Sequence, residues 1–199
     1  MKIISHRRNT ISDLNATPSK YGIEVDIRSL GDQLIIHHDP FSTGENFEEW
    51  ITHYQHGTLI LNVKEEGLEE RLINIMCSKN ITDYFFLDQS FPFLIKWTKL
   101  GFTKSAVRVS EFESIDTALT LSGNADWIWV DCFSHFPLTK TDAFRLTDAG
   151  FKLCLVSPEL QGFDANIEIP KLNKTLIERG IIADAVCTKR ADLWEKLVK

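Results

Sequence analysis

Short apolar runs recur along this chain with amphipathic stretches of about ten residues between them, and this alternation constrains the fold more than any single motif. The runs are rich in β-branched and aromatic residues and read as strands over 2–5, 22–28, 58–64, 84–88, 105–109, 126–131, 151–156 and 184–188. Helical patterns lie between them near 47–55, 67–79, 91–100, 113–121, 140–149, 171–179 and 191–198, with 9–20 as an irregular or short first helix. Strands alternating with helices are the pattern of a parallel sheet, and eight such units predict a compact (β/α)8 barrel. Gly101, Gly123, Gly150 and Gly180 each fall just after a helical pattern, where a left-handed residue ends a helix at little cost. No Pro/Ser/Gly-rich linker divides the sequence, so a single domain over 1–199 is expected.

The composition narrows the function classes. A formal charge of −6, with no Lys/Arg-rich run, argues against nucleic acid as a partner. No stretch approaches the roughly 20 apolar residues of a membrane span, and the opening Met1–His6 segment lacks a signal-like apolar region, so a cytoplasmic protein without a transmembrane segment is expected. Cys77, Cys132, Cys154 and Cys187 form no Cys-x-x-Cys pair, so neither a zinc ribbon nor a redox motif is supported and buried free thiols are expected.

Polar residues gather at one end of the expected strands: His6, Glu24 with Asp26, Asn62 with Lys64, Asp88, Arg108 and Asp131. In such barrels the C-terminal ends of the strands carry the site. Alternate residues of a strand share a face, so Glu24 and Asp26 point one way, as do Asn62 and Lys64. Two carboxylates and an amide oxygen suit one hard divalent cation, and His6 and His38 would stand beside it for proton transfer.

These residues resemble motifs of the glycerophosphodiester phosphodiesterase family, within the wider group of phosphatidylinositol-phospholipase-C-like barrels. Ser5-His6-Arg7 resembles the family's opening His-Arg-Gly, and Gly22-Ile-Glu24-Val-Asp26 its Glu-x-Asp. Ile35-Ile-His-His38-Asp39-Pro40 is similar to the Val-Val-x-His-Asp-Pro segment, Leu61-Asn62-Val63-Lys64 stands at the Glu-x-Lys, and Asp184-Ala-Val-Cys-Thr188 resembles the closing strand. The departures are Arg8 for a glycine, Asn62 for an acid, Lys189 for an acid, and only 18 residues between Asp39 and Thr58, too few for the family's substrate-covering insertion.

The resemblance implies a metal-dependent hydrolase of a glycerophosphodiester-like, small or lipid-derived phosphodiester. Glu24, Asp26 and Asn62 would bind Mg²⁺ or Ca²⁺, His6 and His38 would act as acid and base, and Lys64 would offset phosphate charge. Arg7, Arg108 and Asp131 are candidate substrate contacts. A neighbouring substrate hydroxyl would attack first and give a cyclic phosphate. The alternative is an inactive barrel that binds a phosphorylated metabolite or a protein partner, a reading that Asn62 and Arg8 sustain. A zinc amidohydrolase-like site is disfavoured because adjacent His37 and His38 point to opposite faces of a strand. Phe91, Phe93 and Trp97, at helical spacing, are expected in the core, as are Trp127 and Trp129.

Overall fold

The computed structural model describes residues 1–198 and has an α/β fold. It comprises two compact units: Met1–Ile4 with Gly101–Lys199, and Ser5–Leu100. In chain order, β1 (Lys2–Ser5) precedes the elements of the N-terminal unit: α1 (Ile11–Ala16), β2 (Gly22–Leu30), β3 (Gln33–Ile36), β4 (Glu45–Asn46), α2 (Phe47–Trp50), β5 (Leu59–Val63), α3 (Glu69–Ser78), β6 (Tyr84–Leu87) and α4 (Phe91–Lys99). The C-terminal unit continues with β7 (Ala106–Val109), α5 (Ile115–Leu119), β8 (Trp127–Val130), α6 (Lys140–Asp148), β9 (Lys152–Val156), α7 (Ala165–Arg179), β10 (Ala185–Thr188) and α8 (Ala191–Leu197). All eight expected strands form, each within two residues of its expected bounds.

In the N-terminal unit β2 pairs in parallel with β5, in the register Glu24↔Ile60 and Asp26↔Asn62, and β5 pairs in parallel with β6. Ile23, Val25 and Ile27 are fully buried and alternate with Glu24 and Asp26, so the apolar and acidic residues take opposite faces of β2. The segment 34–39 corrects the expectation that His37 and His38 lie on a strand. Here β3 turns back antiparallel on the far half of β2, Ile27↔Ile36, and ends before the two histidines. The chain then returns through β4, antiparallel to β3. Gly44 makes this return possible, because a Cβ there would collide with the Ile36 carbonyl.

The C-terminal unit holds the parallel ladder β7–β8–β9–β10, with β1 hydrogen-bonded beside β10. Trp127 and Trp129 are buried, as expected. Helix α7 starts at Ala165, earlier than the expected 171, because the Asp164 side chain caps its Asn166 N–H; Pro170 lies inside it. Gly180 ends it in the left-handed conformation, φ 63°.

Two packing expectations fail. Helix α4 buries Leu94 and Thr98, while Phe91 is half exposed and Phe93 and Trp97 are only partly covered, so its inward stripe is the one between the aromatics. Cys77, in the last turn of α3, is exposed; the other three thiols are buried, and all four are free.

Candidate active site

Glu24 and Asp26 are both fully buried. Burying two carboxylates on one face is expensive unless each finds compensation. Glu24 receives the Arg7 N–H on Oε2 (2.7 Å) and the Asn62 amide on Oε1 (2.8 Å). Burial, and then the nearby charge of Asp26, still raise its pKa from 4.5 to about 7, against the lowering effect of Asn62, Arg7 and Lys64. The Asn9 side chain grips Asp26 twice: Nδ2 donates to Oδ2 (2.9 Å), and Oδ1 accepts the Asp26 N–H (3.1 Å). Arg7 Nε lies 3.4 Å from Oδ2 and Lys64 Nζ 3.4 Å from Oδ1.

The turn after β1 is what delivers these donors. Arg7 adopts φ 51°, a left-handed conformation that costs a non-glycine residue about 1 kcal/mol. That bend aims the Arg7 N–H at the Glu24 carboxylate and the Arg8 N–H at the Glu24 carbonyl (3.0 Å). Trp50 holds the turn from below, its indole donating to the Arg8 carbonyl (3.0 Å). Thr10 then caps α1, which leaves Asn9 beside Asp26. Neither Asn9 nor the Arg8 carbonyl was singled out by motif or spacing; the only sequence signal is an Asx-Thr pair ahead of a helical pattern.

His6 Nε2 stands 3.7 Å from Glu24 Oε2, with its side chain mostly covered. Lys64 is shared between Asp26 and Asp88, whose Oδ2 is 2.9 Å away. His38 sits differently. It lies in the 37–44 loop and lines an open cleft of about 600 Å³ with Arg7, Asn9, Thr43 and Glu45. Its Nδ1 is 2.8 Å from Asp39 Oδ1, and that bond holds the Asp39 carboxyl below its usual range. The His38 carbonyl accepts Arg28 Nε (3.1 Å) and Nη2 (2.9 Å), which anchors the loop to β2. His6 and the acids thus form one buried cluster, whereas His38 meets that cluster through Arg7 and Asn9, which line its cleft and bind Asp26.

The donor set fits a hard divalent cation. The Asn62 amide is turned so that its N–H₂ serves Glu24, and its buried Oδ1 has no hydrogen-bond partner among the described residues. Asp26 Oδ1, also buried, has no hydrogen bond among the described residues and lies 3.4 Å from the Lys64 ammonium. Carboxylate and amide oxygens are the ligands Mg²⁺ and Ca²⁺ prefer. Among the described residues no group of three or more His, Cys, Asp and Glu side chains is placed to hold a metal.

Arg108 and Asp131, in the C-terminal unit, meet each other: the guanidinium binds Asp131 Oδ2, and Gln161 donates to Oδ1 at 2.7 Å. Asp131 is almost wholly buried by these contacts.

No protein-family model matches the sequence, and no curated protein matches it. Solved structures do. A glycerophosphodiester phosphodiesterase from Agrobacterium tumefaciens C58 superimposes with a TM-score of 0.68 over 99% of this chain and 98% of its own, at 16% identity. A second structure from that strain, described as a glycerophosphoryl diester phosphodiesterase, gives a TM-score of 0.70 over 99% and 96%, at 14% identity. Among the described residues no helix is long and apolar enough to cross a membrane. By its fold, this chain is similar to the glycerophosphodiester phosphodiesterases.

Proposed function

We propose that this chain is a compact, single-domain (β/α)8-barrel phosphodiesterase that uses a divalent cation, Mg²⁺ or Ca²⁺, to hydrolyse a glycerophosphodiester-like small or lipid-derived phosphodiester in the cytoplasm. The observation that carries the reading is the buried Glu24–Asp26–Asn62 set, with an amide oxygen left over and a histidine at its edge. Two buried acids with a spare neutral oxygen make poor packing and a good cation site. Glu24, Asp26 and Asn62 would hold the cation, which when bound supplies positive charge to the phosphate oxygens.

The chain's own residues divide the remaining work. Lys64 and Arg7 bring positive charge to the phosphate, easing attack on an anion. Asn9 and the Arg7 N–H hold the acids in place. His6 is positioned to exchange a proton from its place beside Glu24. His38, with Nδ1 engaged by Asp39, has Nε2 left to serve as the opposite acid or base in its cleft. A neighbouring hydroxyl of the substrate attacks phosphorus, one histidine takes its proton, and the other protonates the departing alkoxide, leaving a cyclic phosphate; water then attacks that phosphorus and a ring P–O bond breaks, with the two histidines exchanging roles to take the water's proton and to protonate the released hydroxyl.

The test is turnover of a chromogenic phosphodiester with and without chelator, together with His6→Ala and His38→Ala. Each variant should lose roughly 10²-fold or more in kcat while retaining affinity for inorganic phosphate. Wild-type protein that binds phosphate but turns over no phosphodiester, with metal or without, would favour the second reading: an inactive domain that binds a phosphorylated metabolite or protein. One observation favours that alternative: Lys64 and Arg7 already stand beside Asp26, so the protein's own cations answer its charge.

A further inference from the structure

Along helix α7, Glu168, Leu172, Thr175 and Arg179 recur at i, i+4, i+7 and i+11, so they share one stripe of its surface. At the rise of an α-helix that stripe runs about 16 Å. With the loop after β8 and the segment after β9 it encloses a cavity of about 320 Å³, all of whose lining residues belong to the C-terminal unit. Phe136, Phe163, Pro158, Leu172 and the Cys132 thiol give it apolar walls. Burial first, then the charges of Asp131 and Glu111, push the Cys132 pKa from 9.0 up to about 12, so this thiol stays neutral and serves as wall rather than nucleophile. An apolar cavity of this size with a few polar groups is the usual form of a small-molecule site, whose volumes begin at about 300 Å³.

The loop wall of the cavity is held in place. The Glu111 carboxylate accepts the backbone N–H groups of Phe133 (3.1 Å), Ser134 (2.6 Å) and His135 (2.7 Å), and three consecutive amides around one carboxylate fasten the β8 loop to the β7 loop. At the end of the α7 stripe, Arg179 Nη1 donates to the carbonyls of Leu138 (2.5 Å) and Phe136 (3.4 Å), and its Cζ lies 5.7 Å from the centroid of the Phe136 ring. The guanidinium is partly buried and forms no ion pair among the described residues; its Nε and Nη2 donate to none of them. A positive charge withdrawn from water and answered only by carbonyls and a ring face favours an anion beside it. The Nε–Nη2 edge is the one with which Arg190 grips both oxygens of Asp192, each at 2.8 Å.

We propose that this cavity binds a small amphipathic carboxylate, its head on the Nε–Nη2 edge of Arg179 and its apolar body along α7 among Phe136, Leu172, Pro158 and Phe163. The other charges set the direction in which the ligand lies. Glu168 stands at the far end of the stripe, paired with Lys171 at 3.1 Å; the pair is neutral as a whole, and its carboxylate disfavours an anionic head there. Glu111 keeps its charge but does not line the cavity, and His135, whose Nδ1 lies 3.6 Å from it, is an exposed lining residue. Among the described residues Arg179 is therefore the lining charge without a counter-ion, and the head belongs at its end. The volume sets the size. At about 30 Å³ for each water-sized group, 320 Å³ holds on the order of ten non-hydrogen atoms, about those of an eight-carbon carboxylate. No residue is shared with the Glu24, Asp26 and Asn62 cluster, so an inactive phosphodiesterase fold would still bind this ligand.

The experiment is calorimetric titration of the whole protein with octanoate, and with octanol and acetate as probes of the body and the head alone. Octanoate should bind one to one and roughly tenfold or more tightly than octanol, because only the carboxylate engages the guanidinium. Acetate, which has no body to bury, should give no measurable binding. Arg179→Gln removes the charge while keeping an N–H for the loop carbonyls; it should weaken octanoate roughly tenfold or more and leave octanol unchanged. Thr175, whose hydroxyl bonds only the Lys171 carbonyl of its own helix, gives a second handle. Thr175→Phe fills the cavity from α7 and should abolish binding of both octanoate and octanol at an unchanged melting temperature. Wild-type protein that binds no octanoate, or binds it no more tightly than octanol, would overturn the proposal. So would octanoate binding undiminished by Thr175→Phe, since that would assign the ligand to another part of the molecule. If Arg179→Gln does not fold, the octanol comparison and Thr175→Phe still decide.

Discussion

At the scale of the residue, Glu24 and Asn62 make opposite demands on the same space. Glu24 has a folded-state pKa raised to about 7 from 4.5, so the folded protein holds this proton more tightly than the unfolded chain. Stability from this group is therefore complete below about pH 4.5 and is lost as the pH rises to about 7. Glu24→Gln removes the charge and keeps an oxygen for the Arg7 N–H, while its N–H₂ takes the place of the oxygen that Asn62 serves and pairs with the unpartnered Asn62 Oδ1 once that amide turns over. It should raise stability at pH 8 in chelator by on the order of 1–3 kcal/mol and change little near pH 4, as read by urea unfolding. Equal wild-type and variant curves at pH 8 would show that the buried charge is already compensated. Asn62→Asp works the other way. A third charged oxygen should tighten Mg²⁺ or Ca²⁺ binding by roughly tenfold or more in calorimetry while destabilising the protein in chelator. Unchanged affinity would place Asn62 outside the cation's ligands.

At the scale of the element, the β3–β4 return decides where His38 stands. The strand pair is short, and its closeness depends on a glycine rather than on side-chain packing. Gly44→Ala should push β4 off the Ile36 carbonyl, cost about 1–3 kcal/mol, and shift the His38 imidazole resonances in an NMR spectrum. An unperturbed His38 would mean that the Arg28 bonds to its carbonyl suffice to hold the loop. The turn after β1 is a second such device, since the left-handed Arg7 lets successive N–H groups serve the carboxylate and the carbonyl of Glu24. Alternation along β2 was legible because the strand period is a local property; neither of these loop devices has a period to read.

At the scale of the molecule, two carboxylates set opposite limbs of the stability–pH profile. Glu111 has its pKa lowered to about 2 by the amides it accepts, which outweigh its desolvation, so its contribution is present above the ordinary 4.5 and is lost as the pH falls toward 2. Combined with Glu24, this predicts highest stability in mildly acidic solution in chelator, with a decline toward neutral pH that saturating Mg²⁺ or Ca²⁺ flattens. Glu111→Gln should lose the acid-side decline only, and Glu24→Gln the neutral-side decline only. A profile that ignores divalent ions would count against a cation among Glu24, Asp26 and Asn62. The sequence by itself determined the β/α alternation, the shared face of Glu24 and Asp26, the shared face of Asn62 and Lys64, and the left-handed glycines after helices, because each depends on backbone periods or single-residue conformations. Tertiary structure alone decided that Asn62, 38 residues from Glu24, would turn its amide toward it, that Asn9 would grip Asp26, and that His38 would lie in a loop cleft beside Asp39. Those outcomes depend on strand register and loop closure, which bring distant residues within hydrogen-bond reach and leave no periodic trace in the chain.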